Sequence, residues 1–277
     1  MLAIADWTFV KYRMGTSLEL LEKDSGLYAR QARDVKQLNP LSFLLLQQQC
    51  CLNLMGIDNI DDPSRLVGSL ITDDDIKTFN GVNQCFPGVI GLRKAVLFAF
   101  LGRHIENADD VLEQGQGFYD KNLFGWPGVS WCQFLTAVSC YAAYHKKREN
   151  KYLKVAKLLT KKANADMNGG NPNVVHYAMF LTAEELALKK RQFPEAVKKF
   201  EATIFLAARN GCIHDAAFAC ERLAELHLRV KNDTAEAKYQ ITQAMKYYGD
   251  WGAQAKIRML EKKYDDIFPR PSTVLIG

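Results

Sequence analysis

The sequence predicts an all-α protein, a right-handed stack of antiparallel helix hairpins, and three observations lead there. Apolar residues recur three and four apart along nearly all 277 residues, while runs of alternating Val, Ile and aromatic residues are missing. Connections such as Gly102-Arg103 and Arg191-Gln192 are so short that consecutive helices must turn back on one another. A set of small and apolar residues also returns at near-constant spacing. Ala183, Ala187, Ala196, Phe200 and Thr203 reappear 41 residues later as Ala224, Leu228, Ala237, Ile241 and Ala244. Moved back by 44 the set reads Ser139, Ala143, Tyr152, Ala156 and Leu159, and by 44 again Ala95, Ala99, Ala108, Leu112 and Gly115. Two helices approach closely where small side chains meet, so the repeat marks crossings. At the start the same spacing reads Ala5, Phe9, Leu18, Glu22 and Ser25, with the charged Glu22 at a position apolar in the other copies.

Taken in order, helices are expected over 2–14, 17–36, 40–55, 88–101, 104–118, 130–146, 149–165, 172–190, 193–209, 213–230, 233–248 and 250–264. Thr16 with Glu19 forms a capping box for the second, and Asn39-Pro40 and Asn171-Pro172 each set an Asn cap before a first-turn Pro. Asp233 or Asn232 caps the helix that follows it. Residues 56–87, with Gly56, Pro63, Gly68 and Gly81, break the register and read as a long connection with room for one short helix. The organisation expected is therefore N-terminal helical repeats over 1–55, an irregular connection over 56–87, hairpin repeats over 88–265 and a tail over 266–277.

Composition narrows the classes. With 48% apolar and 24% charged residues, 18 Gly and 8 Pro, disorder, collagen and low complexity are excluded. No apolar run of about 18 residues and no signal-peptide start is present, so a cytoplasmic chain without membrane association is expected. A net charge of +5 spread over the whole length predicts no nucleic-acid partner. Seven cysteines, most inside apolar helical stretches and none in a CxxC, suit buried thiols. No histidine belongs to HExxH or HxxxH, so no metal and no cofactor are expected.

The repeat spacing resembles tetratricopeptide-like hairpins, with longer helices than the common unit of about 34 residues. Within 171–264, Ala183-Glu184, Glu195-Ala196, Gly211 with His214 and Ala216, Glu221, and Tyr248 followed by Trp251-Gly252-Ala253 and Ala255-Lys256 resemble the end of the helical-repeat region of large multidomain signalling ATPases. In that family a serine/threonine kinase-like domain and a regulatory ATPase precede the repeats, and a GAF domain with a sensor histidine kinase, or a cyclase, follows. The resemblance implies a scaffold or sensor segment, and for Glu221 a buried hydrogen bond or ion pair. No GxxxxGK[ST], HRD or DFG element occurs, and GVIGLRK over 88–94 lacks phosphate-loop spacing, so phosphoryl transfer is not carried over.

Among residues that could carry chemistry, Cys212, His214 and Asp215 place a thiol, an imidazole and a carboxylate within four positions. They sit at a helix start, where Asp215 suits the positive helix end, and a structural role is expected. Glu221 and Glu225 with His227 lack the Glu-x-x-His order of di-metal bundles. Asp58 to Asp62 and Asp73 to Asp75 lack the Gly and downstream Glu of a calcium loop. The most basic stretch runs from His145 to Lys162 with Glu149 its only acid, and Lys154, Lys157 and Lys161 are its candidates for docking an acidic partner or anion. Trp126, in the aromatic-rich loop Trp126-Pro127-Gly128, is a candidate peptide contact or a core cap.

The function expected is a non-catalytic scaffold for protein–protein or intramolecular interaction, its partner a protein or peptide such as an ATPase or kinase domain. The side lined by 130–146, 172–190 and 213–230 would receive it. A small-molecule sensor and a cryptic hydrolase using Cys212 or the Glu221 region are the alternatives.

Overall fold

Helices dominate a computed structural model of the chain, whose described residues are 2–268 without Asn59, Gln116 and Pro127. Among them stand fourteen α-helices and no strand: α1 Leu2–Arg13, α2 Leu18–Asp34, α3 Leu38–Met55, α4 Asp73–Asn80, α5 Phe86–Phe100, α6 His104–Gln114, α7 Phe118–Asn122, α8 Val129–Lys147, α9 Asn150–Asn168, α10 Val175–Leu186, α11 Phe193–Arg209, α12 Ile213–Lys231, α13 Thr234–Trp251 and α14 Gln254–Lys263. No described helix is long and apolar enough to cross a membrane. Of the tail expected over 266–277, positions 269–277 lie outside the described residues, as does Pro127.

Several boundaries differ from expectation for local reasons. Ser17, not Thr16, caps α2, its hydroxyl accepting from Leu20 N at 3.4 Å. Asn39 sits inside α3, where its side-chain oxygen accepts from Asn83 Nδ2 at 3.2 Å rather than capping. The helix expected over 172–190 is split into a 3-10 turn at Pro172–Val174, α10, and a second 3-10 turn at Lys190–Gln192. Asn171 still caps, accepting from Asn173 N, and Asp233 caps α13 by accepting from Glu236 N at 3.0 Å. α13 runs on to Trp251 because the left-handed residue that ends it is Gly252, at φ +93°. The connection over 56–87 carries α4 and is laced to α3, with Asn53 Nδ2 donating to Pro63 O at 3.0 Å and Gln49 Nε2 to Asp58 Oδ2 at 2.6 Å.

Consecutive helices pack in pairs, α2 with α3, α5 with α6, α8 with α9, α10 with α11 and α12 with α13. Of the recurring residues, Ala183, Ala196, Thr203, Ala224, Ala237, Ala244, Ser139, Ala143, Ala156, Ala99 and Ala108 are all fully buried. Glu22, the charged exception, accepts from Gln48 Nε2 of α3 at 2.7 Å.

The chain's own first helix packs against α2 and α3 and reaches the loop before α8, the start of α8 and the end of α13. Phe9 stacks on Trp126 with ring centroids 4.1 Å apart, Tyr12 meets Trp131 at 5.4 Å and Trp251 at 5.9 Å, and Arg13 Nη2 donates to Asn173 O at 3.0 Å. Arg93 of α5 lies fully buried against α1, its guanidinium between the faces of Phe9, Tyr12 and Phe43. The last helix returns to the first third of the chain, where α14 packs on α3 and Arg258 Nη2 donates to Gly56 O at 3.1 Å.

A buried charge network joins α10, α12, α13 and α14. Arg222 makes a two-pronged contact with Glu184, at 2.5 and 3.1 Å, and also meets Glu225. Glu221 accepts from Tyr248 Oη at 3.3 Å and pairs with Lys256 Nζ at 2.6 Å, the buried pairing that the resemblance implies for it. His104 and His145 border the same network. Burial pushes both imidazoles down, His145 to about 3, and neighbouring guanidiniums add to the effect. A histidine kept neutral in the fold is protonated first in the unfolded chain. Stability is therefore complete above about pH 6.5 and falls as the pH drops below that, by up to about 1.4 kcal/mol per pH unit for each histidine. At Glu225 burial opposes ionisation, but Arg222 and Lys263 overcome it and hold the carboxyl below its usual range, which adds a further loss below about pH 4.3. Urea melts from pH 7.5 to 5 should show the first slope, and His145→Gln a shallower one; equal slopes would refute this assignment.

Candidate functional site

An apolar recess lies where α6, α7, α8 and α9 meet. It forms because α6 stops early, at Gln114 rather than 118. Gly115 and Gly117, at φ +88° and +82°, turn the chain into the short α7. α7 is drawn in against α5 at two glycines, since a Cβ on Gly88 would meet Leu123 Cγ at 2.7 Å and one on Gly91 would meet Phe118 at 3.1 Å. The space left has a volume of about 250 Å³, walled by Val111 and Leu112 of α6, Phe118 and Tyr119 of α7, and Val155, Leu158 and Leu159 of α9. Lys154 is exposed on its rim.

A second, more polar cleft of about 380 Å³ shares two residues with the first, Asp120 and Gln133, and continues past Phe124, Trp126 and Lys162 to Arg13 and Asn173. Asp120 forms a bar between the two. Its carboxylate accepts from Gln133 Nε2 at 3.1 and 3.0 Å and pairs with Lys162 Nζ at 2.6 Å. One continuous surface thus offers an apolar hole, the cations Lys154, Lys162 and Arg13, and two acids, Asp120 and Asp166, the first of them paired with Lys162.

The four residues singled out in the sequence are divided by the structure. Lys154 lies on the pocket. Lys157 and Lys161 are exposed but line neither cavity, whereas Lys162 does. Helical period alone does not show this, because Lys161 lies two turns beyond Lys154 on nearly the same line of α9; how α9 packs decides which lysine reaches a cavity. Trp126 is half-buried, stacked on Phe9, edge-on to Phe43 at 5.5 Å, and donates from Nε1 to Asp6 Oδ1 at 3.1 Å. It borders the cleft while holding the loop to α1. Phe124, two residues earlier, is the exposed aromatic of this loop, at 92%, and sequence reading did not single it out because nothing local decides which ring of an aromatic cluster faces water.

The remaining candidates are engaged elsewhere. Asp58 and Asp62 accept from Ser69 and Ser64, and Asp75 completes a capping box with Thr72. Glu221 is turned into the α12–α13–α14 contact, and Cys212 is buried, its thiol pushed up to about 12 by burial, with Asp215 adding to the effect. All seven cysteines are free and only Cys85 is partly exposed.

No family model matches the chain, and neither a curated protein nor a solved structure matches it.

Proposed function

We propose that this protein is a non-catalytic interaction module of tetratricopeptide-like hairpins in a right-handed stack, which uses the α6–α9 recess and its adjoining cleft to hold a partner segment. The observation that carries this reading is the joining, on one surface, of a 250 Å³ apolar hole edged by exposed Leu158 and Lys154 to a cleft bordered by exposed Phe124 and by Lys162. Such a surface suits a peptide that inserts one apolar side chain and presents acidic groups beside it, since apolar anchors in a pocket supply affinity and peripheral charges supply orientation and encounter rate. By resemblance, the setting is cytoplasmic signalling and the partner an ATPase or kinase domain, with occupancy of the recess biasing the packing of α7 and α9.

The test is fluorescence anisotropy with a panel of labelled peptides combining an aromatic or leucine anchor with acidic flanks. Binding is expected to weaken at least about tenfold with Leu158→Glu and to lose salt dependence with Lys154→Glu plus Lys162→Glu. Lys157→Glu should leave it unchanged. If no peptide binds, or if Leu158→Glu binds as well as the parent, the recess is not a docking site.

A further inference from the structure

Away from that surface, one group of metal-ligating side chains stands together among the described residues: His176 in the first turn of α10, Cys212 at the N-terminal cap of α12 and Asp215 in its first turn. All three are buried, and one donor atom from each lies within 4.8 Å of the other two. His176 Nε2 is 3.1 Å from Asp215 Oδ2. Bonds of about 2.0–2.3 Å in a tetrahedral zinc site place the donors about 3.3–3.8 Å apart, so closing the group takes a movement of about 1 Å, within reach of side-chain rotation. A second observation points the same way. Asp215 Oδ1 and His214 Nε2 are fully buried, 3.6 Å apart, and neither has a hydrogen-bond partner. Buried polar atoms of this kind are rarely left unsatisfied without a reason.

We propose that His176, Cys212 and Asp215 bind one thiophilic divalent cation, zinc by its ligand preferences, with water in the fourth position and His214 as the hydrogen-bond partner of Asp215. A mixed set of one sulfur, one nitrogen and one oxygen donor suits zinc and disfavours magnesium and calcium, which take oxygen. As the metal–sulfur bond forms, the thiol of Cys212 loses its proton to solvent. The ring proton of His176 sits on Nδ1, leaving the Nε2 lone pair for the ion, and Asp215 exchanges its contact with His176 for a metal–oxygen bond. His214 then donates to the outer carboxylate oxygen, as outer groups do at metal centres.

One positive charge is added overall, and Arg13 is the residue placed to accommodate it. Its guanidinium lines the 380 Å³ cleft, donates to Tyr177 Oη at 3.4 Å and acts electrostatically on Asp215 and Cys212. Turning outward, it would both admit the ion from the cleft and carry its own charge towards water. The bound ion would fasten α10 to the start of α12 beneath the α1–α2 turn, where Gly15 packs so closely on Gly211 O that a Cβ would stand 2.4 Å from it.

The sequence conceals this group because His176 is 36 positions from Cys212 and no short ligand motif contains it. The experiment is a cobalt titration of the chelator-stripped full chain. One equivalent should produce a near-ultraviolet thiolate-to-cobalt charge-transfer band of single-cysteine intensity, and zinc should displace it while raising the melting temperature. Cys212→Ser should abolish the band, Cys220→Ser should retain it, and His214→Asn should weaken zinc binding about 10–100-fold. Should Cys212→Ser not fold, the wild-type band and the chelator-reversible melting shift decide the matter. Absence of the band in the wild type, or its survival in Cys212→Ser, overturns the proposal.

Discussion

Replacing Lys256 with methionine is expected to destabilise the fold by about 3–5 kcal/mol, the cost of leaving one member of a buried ion pair without its partner. Lys256 is fully buried and its Nζ stands 2.6 Å from Glu221 Oε2, with Lys263 3.8 Å from the other carboxylate oxygen. Burial lowers the lysine's pKa and Glu221 opposes that, so the ammonium is held by its partner rather than by water. Once Lys256 is gone, Glu221 keeps only the Tyr248 hydroxyl at 3.3 Å and the more distant Lys263. Replacing both members, Lys256→Met with Glu221→Leu, should recover most of the loss, because the desolvation cost disappears together with the attraction. Urea denaturation of the two variants decides the matter. Equal losses in the single and double variants would mean that the side chains matter here for their packing and not for their charge.

Trp251→Ala is expected to cost about 3–5 kcal/mol as well, but for a different reason and with a local signature. The indole is fully buried and lies 4.8 Å from the His214 ring, 5.2 Å from Phe100 and 5.9 Å from Tyr12. It is thus the point at which α13 meets α1, α5 and α12. Truncation removes a large apolar area and leaves a cavity that these rings cannot close without moving. Because α1 has few neighbours of comparable size, hydrogen exchange in residues 2–13 should accelerate more than in α8 or α12. Trp7, 46% exposed, provides the comparison, and its alanine variant should lose no more than about 1 kcal/mol. Uniform acceleration across the chain would remove Trp251 as a clasp for the first helix.

Much of this was legible before any coordinates. The helices follow from side chains repeating every three to four residues, and pairing follows from connections too short to allow anything else. Most of the small residues at spacings of 41 and 44 are fully buried, as close helix approach requires. Glu221 with Lys256 is a more telling instance: the element Trp251-Gly252-Ala253 and Ala255-Lys256 stood out as a string, and each member has a local task, with Trp251 and Ala253 in the core, Gly252 in the left-handed turn and Lys256 as the buried cation. Caps were less legible, since Thr16 and Ser17 are chemically equivalent and only the geometry of the preceding turn chooses between them.

By itself, then, the order of amino acids determined helix content, approximate helix limits, pairing of neighbours and the absence of familiar phosphoryl-transfer motifs, all of which depend on residues within a few turns of one another. Only the tertiary structure decided that α1 lies against Trp126, Trp131 and Trp251, that Lys162 rather than Lys157 or Lys161 joins Lys154 at the recess, and that His176 meets Cys212 and Asp215. Those contacts join residues up to more than two hundred positions apart. Their selection rests on how apolar surfaces of many helices are buried together, a collective property of packing that no local pattern encodes.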